Sequence, residues 1–184
     1  MRARAVRHSQ PIYWREAAIC VPAMPVILLA GAATGHIVEA AIAAGAAFSV
    51  GFGAARDLRG RRWGAMIAAA LGMTVAAFVG SLFGESFVLF LILAAIAAAA
   101  CAATALIDED LWWVALQVVV FLLIAGYYAG PPAEALTRAL AVLAGGAAQL
   151  VSVVVLAKLV PRAAGRLPGN PARYEADRTL LIVH

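Results

Sequence analysis

The chain has few charged residues and few cysteines, and both shortages limit what it can be. Only 13% of its 184 residues are charged, whereas 65% are hydrophobic, and the mean hydropathy is +0.93. Soluble globular domains average about 25% charged residues, so the composition excludes an ordinary soluble domain. The two cysteines, Cys20 and Cys101, fall within apolar segments. We therefore expect no disulfide and interpret both as small packing residues.

Motifs that carry chemistry are also missing. The sequence has no Gly-rich phosphate loop, no serine–histidine–acid set and no paired-histidine metal motif. His8 and His184 lie near the termini, and His36 stands alone in a predicted turn. We therefore predict no enzymatic activity, no metal and no cofactor. The net charge of +4 comes from arginine clusters between apolar segments, so it indicates membrane topology and not nucleic-acid binding.

What the sequence has in abundance is long apolar segments. Six of them can form helices that cross a hydrocarbon core of about 30 Å. The strand alternation of a membrane barrel is absent, so these spans must be helical. The predicted spans are 17–35, 37–55, 63–83, 87–107, 111–129 and 135–159. The expected fold is an all-α membrane protein with a six-helix domain at 17–160, a short segment 1–16 before it and a largely flexible tail at 161–184.

Clusters of lysine and arginine alternate with nearly uncharged turns. Four arginines precede the first span, four lie in the 56–62 loop, and five basic residues lie at the end of the last span or after it. Short loops rich in these residues stay in the cytoplasm. The pattern therefore predicts a multi-pass protein of the bacterial inner membrane with cytoplasmic N and C termini. An alternative for the start is a secretory signal with a cleavage site at Ala30-Gly31-Ala32, although Pro22 and Pro25 would disrupt its apolar core.

Small residues recur at every fourth position in the second and third predicted helices. They are Ala41, Gly45, Ser49 and Gly53 in the second, and Gly64, Ala68, Gly72, Ala76 and Gly80 in the third. Residues four apart share one helix face, and small faces let helix backbones approach closely in lipid. An alanine-rich chain can produce this spacing by chance. Two such runs in consecutive helices favour packing, most simply of these two helices against each other.

Ionisable residues inside the predicted spans are the first candidates for a binding site. Arg138 lies about one turn into the sixth span, and Glu39 lies early in the second. Such residues are costly in lipid and usually face a cavity or a partner. One alternative is structural pairing of Arg138, either with Glu134, which precedes it by the four residues that favour an ion pair, or with Glu39. The other is that Arg138 and Glu39 bind an organic anion.

Two glutamines and a histidine complete the set of candidate residues. Gln117 and Gln149 lie deep in the fifth and sixth predicted spans. Each of them either forms an interhelical hydrogen bond or lines a passage. If the protein is a secondary carrier, Glu39 or His36 is the candidate for the coupling proton.

A Gly- and Ala-rich helix, a loop with one acid and several arginines, and another small-residue helix follow one another from Ala43 to Gly84. The residues that carry this pattern are Gly45, Gly51, Gly53, Asp57, Arg59, Arg61, Arg62, Gly72 and Gly80. The segment resembles the N-terminal membrane half of the fusaric acid resistance (FUSC) and aromatic acid exporter superfamily. The six-helix plan is also similar to that of plant aluminium-activated malate channels. The resemblance implies export of aromatic or other organic acids.

The tail departs from that family. Typical members carry a large cytoplasmic domain after six helices, whereas only a short tail follows here. A lone six-helix unit would need a partner, so we expect a homo-oligomer, most simply a dimer. The competing hypothesis is a non-transporting membrane scaffold or regulatory subunit. A polar-lined cavity reaching mid-membrane would favour transport, and a dry bundle of small residues would favour the scaffold.

Overall fold

Six α-helices make up the part of the chain that the computed structural model describes, namely residues 21–56, 58, 60–61 and 63–159. They are α1 (Ala23–Thr34), α2 (Ile37–Gly51), α3 (Gly64–Phe83), α4 (Phe87–Ala105), α5 (Glu109–Tyr127) and α6 (Pro132–Leu159), and a 3-10 helix at Phe52–Ala55 extends α2. This confirms the all-helical fold for the described residues. Five of the helices, α2 to α6, are long and apolar enough to cross a membrane.

The first helix is shorter than the predicted first span. Its 12 residues extend about 18 Å at 1.5 Å per residue, which is less than a hydrocarbon core of about 30 Å. Pro22 directly precedes the helix, and Pro25 lies in its first turn, where a missing N–H breaks no intrahelical bond. Residues 17–20 of the predicted span lie outside the described residues, as do Cys20, the 1–16 segment and the 161–184 tail.

Several helix boundaries have a local cause in the sequence. Gly35 ends α1 in the left-handed conformation with a φ of 77°, which glycine adopts without a steric penalty. The Asp108 side chain caps α5 by accepting hydrogen bonds from the backbone N–H groups of Asp110 and Leu111, at 2.9 and 3.0 Å. α6 begins at Pro132, whose missing N–H would have had no partner in the first turn.

The helices pack as a row of neighbours in an order that differs from the order along the chain. α1 packs on α2, α2 on α6, α6 on α3, α3 on α5 and α5 on α4, and these are the five most extensive helix contacts among the described residues. The contact between α2 and α3 is minor. The expected pairing of these two helices with each other is therefore replaced by pairing of α2 with α6 and of α3 with α5.

This row has an internal symmetry. The order of neighbouring helices is α1–α2–α6–α3–α5–α4, with the α3–α6 contact at its centre. Exchanging α1 with α4, α2 with α5 and α3 with α6 gives the same order read from the other end. The two halves also begin at opposite ends of the bundle, since each contains three helices. The end of α2 lies beside the start of α5, where Arg56 contacts Asp110. The described helices therefore form two three-helix halves in inverted orientation.

Glycines allow the central helices to approach closely. A Cβ atom at Gly146 of α6 would lie 2.8 Å from the Cβ of Ala70 on α3. A Cβ at the adjacent Gly145 would collide with the backbone carbonyl of Ala43 on α2. Two neighbouring glycines thus seat α6 against a different helix on each side. The core around them consists mainly of alanine, valine and methionine, with Met66 and Met73 fully buried.

Candidate functional site

The described side chains form an ionic cluster at each end of the bundle. The first, which we call the Arg56 cluster, comprises Arg56, Glu109, Asp110 and Trp113. The second, the Arg138 cluster, comprises Arg138, Glu134 and the carbonyl oxygen of Tyr128. The Arg56 cluster lies where α2 ends and α5 begins, and the Arg138 cluster lies where α5 ends and α6 begins.

The Arg56 cluster joins residues that are far apart in the sequence. Arg56 Nη1 donates a hydrogen bond of 3.1 Å to Asp110 Oδ1 and lies 3.9 Å from Glu109 Oε1. Its guanidinium carbon lies 5.2 Å from the ring centroid of Trp113, within the range of a cation–π contact. The Asp110 side chain is only 9% exposed. The start of α5 also favours these acids through its helix dipole, so the cluster ties the end of α2 to the start of α5.

Sequence reasoning did not single out this cluster as a site. Arg56 is one of the arginines that predict the topology, and the sequence alone indicated no role for Asp110. The cap at Asp108 marks the start of α5 and places Glu109 and Asp110 in its first turn. This capping signal is present in the sequence, but Arg56, the partner of these acids, lies 54 residues before Asp110.

The Arg138 cluster contains the ion pair between Arg138 and Glu134, which the sequence offered as the structural alternative to anion binding. Arg138 Nη2 donates to Glu134 Oε2 at 2.8 Å, across one turn of α6. Arg138 Nη1 donates to the carbonyl oxygen of Tyr128, which connects α6 to the end of α5. The pair is partly open, because the Glu134 side chain is 58% exposed. An incoming anion would therefore have to compete with Glu134 for the guanidinium.

Glu39 and His36 lie together at the start of α2. His36 Nδ1 is 3.9 Å from Glu39 Oε2, and both side chains are exposed. The structure thus brings the two candidates for a coupling proton to one place and pairs Glu39 with His36 instead of with Arg138.

The two glutamines differ in their surroundings. Gln149 on α6 is fully buried in the helix bundle, one turn from the Gly145–Gly146 contacts with α2 and α3. Gln117 on α5 is half-buried. It continues the stripe that Trp113 and Phe121 form on the buried side of α5. Gln149 is therefore at the centre of the bundle, whereas Gln117 borders a less tightly covered part of α5.

The small residues predicted to pack lie in different environments. In α3, a Cβ at Gly72 would lie 2.5 Å from Val118 Cγ2, and one at Gly80 would meet the backbone of α5. After α2, Gly53 lies against Trp113, whose ring would be 3.0 Å from an added Cβ. Gly45 is exposed, with no atom within 4 Å of an added Cβ. The half-buried Ser49 is one turn further along α2.

An open groove lies beside the Arg56 end of α3. It has a volume of about 920 Å³, and its lining comprises Leu58, Arg61, Trp63, Gly64, Ile67, Ala68, Leu71 and Leu111. Gly64, another residue predicted to pack, contacts Leu58 and Arg61 of the preceding loop instead of a neighbouring helix. The groove is mainly apolar and does not include any of the candidate residues Arg138, Glu39, Gln117 and Gln149.

Comparison with known proteins identifies no relative of this chain: no family model, no curated protein and no solved structure matches it.

Proposed function

We propose that the chain is a six-span transporter of the bacterial inner membrane, with both termini in the cytoplasm, which exports aromatic or other organic acids. The observation that carries this proposal is the inverted arrangement of the two three-helix halves around the α3–α6 contact. Inverted repeats are common in secondary transporters, where rocking of one half against the other exposes a central site to each side in turn. The resemblance to the FUSC superfamily suggests the substrate class.

The candidate residues have the chemistry that an organic acid requires. A guanidinium such as that of Arg138 can hold a carboxylate with two parallel hydrogen bonds. In the structure Nη2 donates to Glu134 at 2.8 Å and Nη1 donates to the Tyr128 carbonyl, so a substrate carboxylate would bind by replacing both acceptors. Gln149 at the centre of the bundle and the half-buried Gln117 offer polar contacts deeper in the membrane. Glu39, beside His36, would carry a coupling proton.

Reporter fusions test the orientation. Fusions at Arg59 and after Arg173 are expected to report a cytoplasmic location, and a fusion at Glu85 an external one, because the basic clusters are retained inside. An external signal at Arg59 would refute the proposed orientation.

Transport itself is tested with purified protein in proteoliposomes loaded with salicylate as a fluorescent aromatic acid. The expected result is efflux above that of protein-free vesicles. Arg138→Lys is expected to reduce efflux because an ammonium acts as a point charge and cannot reproduce the two-hydrogen-bond geometry. Lys158→Gln, which removes a cation at the opposite end of α6, is the matched control. Normal efflux from a well-folded Arg138→Gln protein would remove Arg138 from the site.

One observation favours the alternative of a membrane scaffold or regulatory subunit. The centre of the described bundle is closely packed through small residues, with Gly145 against Ala43 and Gly146 against Ala70. In this case the chain would act by binding a partner, or a second copy of itself, within the bilayer. Absence of salicylate efflux, together with a stable oligomer in cross-linking experiments on native membranes, would support the scaffold and contradict the transporter.

A further inference from the structure

The groove beside α3 opens where the small residues of α3 are no longer in close contact with α5, although Leu111 of α5 still lines one side of it. At Gly72 the contact is close, since Val118 of α5 lies 2.5 Å from the position of a Cβ. One and two turns nearer the loop, Ala68 and Gly64 line the open groove. Ile67 and Leu71 flank them and are 45% and 55% exposed. The result is an apolar trough that is closed towards the middle of the bundle.

The length of the trough matches one leaflet of a membrane. From Trp63 to Leu71 the chain advances eight residues, or about 12 Å at 1.5 Å per residue. Half of a hydrocarbon core is about 15 Å. Trp63 lies at the loop end of the trough, where an amphipathic ring prefers the headgroup level. An acyl chain could therefore lie along the trough with its headgroup beside the loop.

The loop end of the groove carries a guanidinium. Among the described residues, Arg56 and Arg138 form ion pairs with carboxylates, whereas no described carboxylate lies within 4.0 Å of Arg61. Arg61 is exposed and lines the groove. Guanidinium groups bind phosphate with directed hydrogen bonds. The charge at this end is thus complementary to an anionic headgroup, while the rest of the groove is complementary to a hydrocarbon chain.

We propose that this groove is a binding site for an anionic phospholipid, with the phosphate held by Arg61 and one acyl chain lying along Ile67, Ala68 and Leu71. The assignment to the cytoplasmic leaflet rests on the orientation given under the proposed function, and that leaflet carries the negative surface potential. A small soluble acid would satisfy Arg61 but would leave the apolar trough unfilled.

Native mass spectrometry of the full chain in detergent tests the site, with phosphatidylglycerol and phosphatidylcholine of identical acyl chains as probes. The wild-type protein is expected to retain phosphatidylglycerol preferentially. Arg61→Gln is expected to reduce that retention about fivefold, the effect of one basic residue on an anionic lipid. Lys158→Gln removes the same charge from the end of α6 and is expected to leave retention unchanged. Equal retention by Arg61→Gln and Lys158→Gln would overturn the proposal.

The trough is tested separately. Ala68→Phe fills it and is expected to reduce retention of both lipids, whereas Val75→Phe, placed at a 64% exposed residue of α3 beyond the groove, is expected to have no effect. Equal lipid retention by these two variants would overturn the proposal. If Ala68→Phe folds poorly, Arg61→Gln still tests the site, because it alters only an exposed side chain. Displacement of phosphatidylglycerol by inorganic phosphate would also overturn it.

Lipid retention in detergent does not depend on how the protein is oriented in the membrane, so it tests the lipid site separately from the proposed topology. Preferential retention of phosphatidylglycerol combined with an external reporter signal at Arg59 would keep the lipid site and refute the proposed topology. Loss of the preference for phosphatidylglycerol, combined with a cytoplasmic reporter signal at Arg59, would refute the lipid site and keep the proposed topology.

Discussion

Gly145 and Gly45 provide a matched test of how the bundle is held together. Both are helical glycines in alanine-rich surroundings, on α6 and α2. A Cβ at Gly145 would collide with the carbonyl oxygen of Ala43 and lie 2.8 Å from its Cα, whereas a Cβ at Gly45 would have no atom within 4 Å. The same substitution, Gly→Ala, therefore meets backbone in one position and open space in the other.

The expected difference follows from two terms. Replacing glycine by alanine favours a helix by about 1 kcal/mol, and this term is common to both variants. Overpacking a close contact costs about 1–3 kcal/mol, and it applies only to Gly145, where the opposing atoms belong to backbone and cannot rotate away. We therefore expect the Gly145→Ala protein to be less stable than the Gly45→Ala protein by about 1–3 kcal/mol.

The assay is reversible unfolding of the purified protein by titration of a denaturing detergent, followed by circular dichroism. The free energy of unfolding of the two variants is compared directly, so that errors in extrapolation cancel. Equal stabilities would show that α6 does not seat on Ala43 and would refute the neighbour order α2–α6–α3. A loss of stability confined to Gly45→Ala would instead indicate that Gly45 packs against a second chain.

Three further predictions use the same unfolding assay. Gly72→Leu is expected to lower the free energy of unfolding by about 1–3 kcal/mol because its side chain would displace Val118 at 2.5 Å; unchanged stability would mean that this face of α3 meets lipid. Asp110→Asn is expected to cost about 3 kcal/mol, since it leaves the partly buried Arg56 without its closest carboxylate, and a double variant with Arg56→Gln should recover part of that loss. Arg138→Gln is expected to cost less than about 1 kcal/mol because its pair with Glu134 is partly exposed, and a larger loss that Glu134→Gln restores would indicate a structural pair.

Much of the secondary structure could be predicted from the sequence because its causes are local. Long apolar segments without strand alternation must be helical in lipid, and five of the helices have the length of a span. The cap at Asp108 and the proline at position 132 specify where α5 and α6 begin. The pair between Glu134 and Arg138 was also predictable, since the two residues are one turn apart on the same helix.

The candidate site was less predictable because its contacts join distant parts of the chain. Arg56 and Asp110 are separated by 54 positions and come together only because α2 ends beside the start of α5. The contact between Glu39 and His36 is by contrast local, since the two residues are three positions apart at the start of α2. The groove at Arg61 depends on how closely the start of α5 packs against the start of α3, which no local pattern in the sequence indicates.

The sequence by itself therefore determined that the described part of the chain is helical and apolar, with five helices long enough to cross a membrane, whereas the tertiary structure decided which faces meet. In a soluble helix an apolar stripe identifies the buried face. In these helices the exposed faces are apolar too, as Leu71 and Val75 on α3 demonstrate. Small residues mark where a close approach is permitted, but Gly45 and Gly145 are equivalent in that respect. Only the position of Ala43 opposite Gly145 makes one of them a contact between helices.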